Sequence, residues 1–148
     1  MDGSLTRRIA ALEARNDIVD LIVAYFERVD ARDIEGLVEL FAPAAELLAP
    51  GHPLRGHAEI RAFYTWRLPQ FEFTNHYPHA ETVIFEDENL ARGTITGHAE
   101  HGIANTCNLA ALRYQDRYVR TEDRWCFSFR RIETVYFLPW DNFTGRYP

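Results

Sequence analysis

Asp30 closes the apolar run Tyr25-Phe26-Glu27-Arg28-Val29, and His76 follows 46 residues later. Neutral imidazole is a serviceable base near pH 7. A carboxylate bonded to its other ring nitrogen fixes the tautomer and stabilises the imidazolium that forms. Such a pair suits removal of a carbon-bound proton, and loss of a hydroxyl also needs an acid or a hydrogen-bond donor at the leaving oxygen. Tyr25 is a candidate donor, and His101 is a second. Each of these residues also has a plain structural reading. Asp30 and His76 would then be an ion pair or a helix-end hydrogen bond, Tyr25 a core ring with its hydroxyl satisfied, and Phe63, Tyr64 and Trp66 core rather than cavity wall.

Other chemistries fare worse. The pairs His76-x-x-His79 and His98-x-x-His101 would supply four imidazoles, but they fall in segments that read as strands. Residues three apart on a strand face opposite ways, so no metal site is expected. His52 and His57 flank Pro53 and Gly56 in a stretch that reads as a solvated loop. The chain has no lysine, which excludes a Schiff-base mechanism. Its 16 arginines face 22 acidic residues, for a net charge of −6, and they form no basic stripe. Nucleic acid and anionic membranes are therefore poor partners, which leaves small molecules and other proteins. Cys107 and Cys126 form no CxxC pattern and read as buried thiols. No motif calls for a cofactor.

The elements that must position these groups fit one domain, residues 1–148, with no linker. With 47% hydrophobic and 14% aromatic residues, the chain can bury a core and still line a cavity with rings. No apolar run approaches the roughly 20 residues of a membrane helix. The start Met1-Asp2-Gly3-Ser4 lacks a signal-peptide pattern, so a cytoplasmic protein is expected. Helical spacing of Ile18, Leu21, Ile22, Tyr25, Phe26 and Val29 predicts a helix over 16–29. Asp33 can cap a second helix carrying Ile34, Leu37, Val38 and Phe41 as far as Pro43. A short strand over 45–49 and a third helix from His57 to about Leu68 follow.

Strands then read as two hairpins, about 71–85 with 90–102 and about 108–121 with 125–137, before a tail without clear period over 138–148. A first turn centred on Asp87-Glu88 pairs residues whose numbers sum to 175. His76 then lies opposite Ala99, and His76, Ala80, Ile84, Ala91, Ile95 and His101 share one face, with His79 and His98 on the other. One bulge would flip everything beyond it. In the second hairpin a sum of 245 puts Tyr114, Tyr118, Trp125, Phe127 and Phe129 on one face, which, if exposed, would signal a dimer interface.

At this point the chain resembles the nuclear transport factor 2-like (NTF2-like), or SnoaL-like, superfamily. The resemblance covers about residues 10–137 and rests on loose motifs in a specific order. These are the helix ending in Asp30, the phrase from Asp30 through Asp33 to Phe41, the segment from Gly56 to Phe63, Thr74-Asn75-His76, and the closing hairpin from Tyr114 to Arg131. It implies an α+β fold, a cone of three N-terminal helices on a curved, mostly antiparallel sheet enclosing one pocket. Tyr25, Asp30 and His76 look like the tyrosine, aspartate and histidine of scytalone dehydratase-like and bile-acid dehydratase-like enzymes. Hexachlorocyclohexane dehydrochlorinases are similar at the aspartate and histidine but have lysine where this chain has Tyr25. His101 resembles the second histidine of scytalone dehydratases. Arg131 falls where some of these enzymes carry a pocket arginine, with Arg130 an equally close candidate, since only one of the two can face inward. Arg131, Phe63 and Trp66 are the candidate substrate-binding residues.

The expectation is a cofactor-independent lyase of dehydratase type, or an isomerase, acting on a small hydrophobic oxygenated cyclic compound such as a polyketide, steroid or aromatic metabolite. The alternative is a non-catalytic ligand-binding domain like the small subunits of ring-hydroxylating dioxygenases. Epoxide hydrolysis would need an Asp-Arg-Asp set that is not evident. A homodimer or higher homo-oligomer through the sheet face is expected.

Overall fold

The computed structural model describes residues 3–122 and 124–143. Helix α1 (Gly3–Ala31) buries Ile18, Leu21, Ile22, Tyr25, Phe26 and Val29, the face expected from their spacing. It also begins 13 residues earlier than the burial pattern indicates, because Leu5, Ile9 and Leu12 in its first turns stay exposed. The helix stops at Arg32, which takes a left-handed conformation (φ 58°). The Asp33 N–H donates to Arg28 O and the Arg32 N–H to Val29 O, the paired bonds of a Schellman motif. A side chain in that conformation costs about 1–2 kcal/mol. Here the Arg32 guanidinium spans to the carbonyls of Phe71 (2.5 Å) and Glu72 (3.2 Å). The end of α1 is thereby clamped to the chain entering strand β3.

Asp33 caps α2 (Ile34–Glu39), its carboxylate accepting from the Gly36 N–H at 3.0 Å. Phe41 is not part of that helix. It opens β1 (Phe41–Ala49), longer than the expected 45–49, because Leu40 O is taken by the Phe127 N–H and Pro43 cannot continue a helix. A turn at Pro50-Gly51, with Gly51 at φ 75°, leads into β2 (His52–Arg55), and α3 spans Gly56–Arg67. His52 and His57 thus lie in a strand and a helix rather than a loop. The His52 ring packs on Phe63, and His57 Nε2 lies 2.8 Å from Phe41 O.

Strands β3 (Thr74–Phe85), β4 (Leu90–Ile103), β5 (Thr106–Thr121) and β6 (Arg124–Pro139) complete one six-stranded sheet of order β2-β1-β6-β5-β4-β3. All neighbours are antiparallel except β1 and β6. The segment read as a tail continues β6 to Pro139 and forms a short 3₁₀ turn at Trp140–Phe143, and its last five residues lie outside the described ones.

The expected register holds on the site side of the first hairpin, which shifts once, and on the turn side of the second, which shifts twice, at Arg117/Tyr118 and at Ala111/Leu112. His76 pairs with Ala99 as expected, but between Pro78 and Ala80 the pairing slips by one. Ile84 therefore faces solvent, while Val83 and Phe85 pack on the core, which reverses the expectation for Ala80 and Ile84. Pro78 has no N–H to give to a ladder, and edge strand β3 is where such a break is tolerated. In the second hairpin Tyr118 pairs with Phe127 but Arg117 with Phe129, leaving Ser128 as the extra residue. Tyr114, Tyr118, Trp125 and Phe127 are buried in the core, so they form no exposed aromatic face, and Phe129 turns outward under Arg117. Cys126 is buried and Cys107 half-buried.

Candidate active site

Asp30 ends the buried stripe of α1, one turn past Phe26, and the clamp from Arg32 brings β3 against it. His76 Nδ1 lies 2.6 Å from Asp30 Oδ1. The His76 backbone N–H donates to Asp30 Oδ2 at 2.8 Å, and Thr74 Oγ1 donates to Oδ1 at 2.9 Å. Burial opposes the charge on Asp30, but the ring, backbone and hydroxyl donors together outweigh it and hold the carboxyl below its usual pKa. An ionised Asp30 on Nδ1 leaves Nε2 as the basic nitrogen of His76. The imidazole is stacked on Phe26 at 5.5 Å and forms part of a cavity wall.

That cavity measures about 130 Å³, roughly what one benzene-sized ring fills. Tyr25 lies in its wall with its hydroxyl 2.6 Å from that of Tyr64. Burial raises the pKa of both phenols, so each keeps its proton at neutral pH and the pair can donate. His101 stands edge-on to His76 at 5.6 Å, is 8% exposed, and has no partner for its buried Nδ1. Burial, then the charges of His76 and Arg67, push its pKa down to about 4, so it is neutral at pH 7.

Of the residues singled out from sequence, Asp30, His76, Tyr25, His101 and Phe63 come together here, Asp30 directly behind His76. Trp66 does not: it is 53% exposed and packs on His52, because Phe63 and Arg67, one turn apart, take the inward stripe of α3. Arg131 is exposed and faces away from the cavity. The bulge at Ser128 turns Arg130 inward instead, yet it stays below the cavity wall. It makes a two-pronged bond to Asp116 at 2.8 and 2.7 Å, with the faces of Tyr25 and Phe127 each 4.0 Å from its Cζ. Arg130 thus supports the Tyr25 ring from behind.

Two participants, Thr74 and Arg67, had escaped sequence reasoning. Thr74 sits two residues before His76 on the same strand face, and alternation alone could have assigned it to Asp30. Tyr64, read as an inward ring, lines the cavity, whereas Arg67 lacked a signal, since the edges of the inward stripe on α3 depend on how that helix is rolled against the sheet. Among the described residues no group of three or more His, Cys, Asp or Glu could hold a metal. His79 and His98 meet on the outer face of the sheet, 2.7 Å apart.

The family model described as SnoaL-like domain matches residues 10–131. No curated protein matches the chain. Among solved structures, LinA superposes with a TM-score of 0.86 at 24% identity, covering 95% of this chain and 99% of its own. Hexachlorocyclohexane dehydrochlorinase LinA-type3 from Novosphingobium barchaimii LL02 gives 0.85 at 21% identity over 95% and 99%. A candidate scytalone dehydratase from Novosphingobium aromaticivorans DSM 12444 gives 0.83 at 20% identity over 95% and 99%. At such identities the likeness shows a shared fold, the cone of three helices on one sheet.

Proposed function

Because this chain belongs to the SnoaL-like domain family, we propose that it is a cofactor-independent lyase of dehydratase type acting on a small, hydrophobic, oxygenated cyclic compound. The observation that carries this reading is the 2.6 Å contact between His76 Nδ1 and Asp30, with the ring walling an aromatic cavity. Nε2 of His76 takes a proton from a carbon of the substrate. Asp30 holds Nδ1–H and stabilises the imidazolium. The carbon–oxygen bond then breaks with its electron pair leaving on oxygen, which is protonated by Tyr25. Tyr64, bonded to Tyr25, eases formation of the phenolate, and the proton on His76 returns through the released water to neutralise it. Neutral His101 offers a further hydrogen bond to a substrate oxygen. If the proton returns to another carbon instead, the same groups carry out an isomerisation.

The same reading extends to assembly as a homodimer through the outer sheet face. Tyr77 and Ile84 on edge strand β3 leave apolar surface there.

The test is a panel of cyclic hydroxy-ketones and chlorinated cyclic compounds offered to the native protein and to His76→Ala. Turnover of a panel member should fall about 10²–10⁴-fold in the variant. Equal turnover by both would remove His76 from the chemistry, and binding without turnover by either would favour the non-catalytic ligand-binding domain.

A further inference from the structure

Six arginines have a carboxylate partner: Arg15 has Glu81, Arg28 Asp33, Arg55 Glu46, Arg61 Glu35, Arg92 Glu86 and Arg130 Asp116. Arg67 is different. It is half-buried at the C-terminal end of α3, where its hydrogen-bond partner among the described residues is the neutral Gln70 Oε1 at 3.0 Å. Burial lowers its pKa, and among the described residues no anion counters that effect. Its Cζ sits 4.4 Å from the centre of the Phe71 ring, which holds the guanidinium in place. It also lines the cavity, and among the described residues it is the one lining side chain with a permanent charge.

A half-desolvated guanidinium without a counter-ion is costly unless something anionic completes it. The rest of the wall is aromatic, aliphatic or neutral polar, so the complement must come with the ligand. We propose that Arg67 reads a carboxylate carried on the substrate's ring. This rests on the cavity being the substrate site and narrows the substrate class to small cyclic carboxylic acids. Along the cavity wall the rings of Phe71 and His101 stand between Arg67 and the base, Phe71 to His101 at 4.6 Å and His101 to His76 at 5.6 Å. The carboxylate it binds is therefore a substituent remote from the carbon that loses its proton, and its effect is on binding rather than on the chemical step.

The probes are benzoate and its neutral isostere benzamide, both small enough for the cavity, with affinities measured by ligand-observed NMR on the whole protein. Native protein should bind benzoate about tenfold or more tightly than benzamide. Arg67→Gln should abolish that preference while leaving benzamide affinity unchanged, and Arg67→Lys should restore part of it. Equal affinities in the native protein, or a benzoate preference that survives Arg67→Gln, would overturn the proposal. The readout needs no turnover, so it can fail while the His76 chemistry stands, or hold while that chemistry fails.

Discussion

At the scale of single residues, the site works by dividing polar groups between charge states. Asp30 is held ionised by three donors and His101 is held neutral by burial. The two leave separate marks on stability. His101 has a folded pKa near 4 against 6.5 for the free side chain, so the unfolded chain takes up its proton first as pH falls. Its contribution is therefore complete above about pH 6.5 and is lost between about 6.5 and 4. Asp30, with a depressed pKa, contributes above 3.8 and loses that contribution as pH falls through its lower folded value. Thermal melts of native protein and His101→Gln between pH 4 and 7 should converge on a variant that is relatively more stable at the acid end. A pH-independent difference would mean that His101 is not neutral by burial. The grouping of Asp30, His76 and Tyr25 was legible through the family resemblance, since spacing alone left the contact between helix end and strand open. The true inward arginine was not, because one extra residue at Ser128 decides it.

At the scale of elements, the site depends on one clamp and two bulges. Helix α1 meets β3 through Arg32, whose backbone is strained and whose side chain holds Phe71 and Glu72. Replacing it separates these effects. Arg32→Gly removes the strain and the clamp, whereas Arg32→Ala removes only the clamp. Urea unfolding should find both variants destabilised, and Ala worse than Gly by about 1 kcal/mol. Equal stability of Arg32→Ala and native protein would show that the clamp contributes nothing. Helices α1 and α3 could be read from periodicity, whereas His76 meets Ala99 as expected only because the bulge at His79 offsets a turn displaced by one, the pairs beside it summing to 176 rather than 175. The break at His79 had a local signal in Pro78, but the bulge at Ser128 had none, since it depends on the twist of the assembled sheet.

At the scale of the whole molecule, a buried ion pair lies beneath the aromatic floor of the cavity. Burial opposes the charge on Arg130, and Asp116 more than offsets it, raising the guanidinium pKa further. Asp116→Ala would leave that cation buried and unpaired, at a cost of about 3–5 kcal/mol, while Arg130→Met combined with Asp116→Leu should cost less than the single change. Chemical denaturation of both variants measures this, and a single-mutant loss under about 1 kcal/mol would contradict it. In this account the helices, sheet and ion pair together present one ring nitrogen to an aromatic-walled cavity. Nitrogen-detected histidine NMR at neutral pH tests that most directly. The account predicts that neutral His76 carries its proton on Nδ1, held by Asp30, with Nε2 bare, and that Asp30→Asn weakens this preference. A proton on Nε2 would leave no base facing the cavity and would contradict the account.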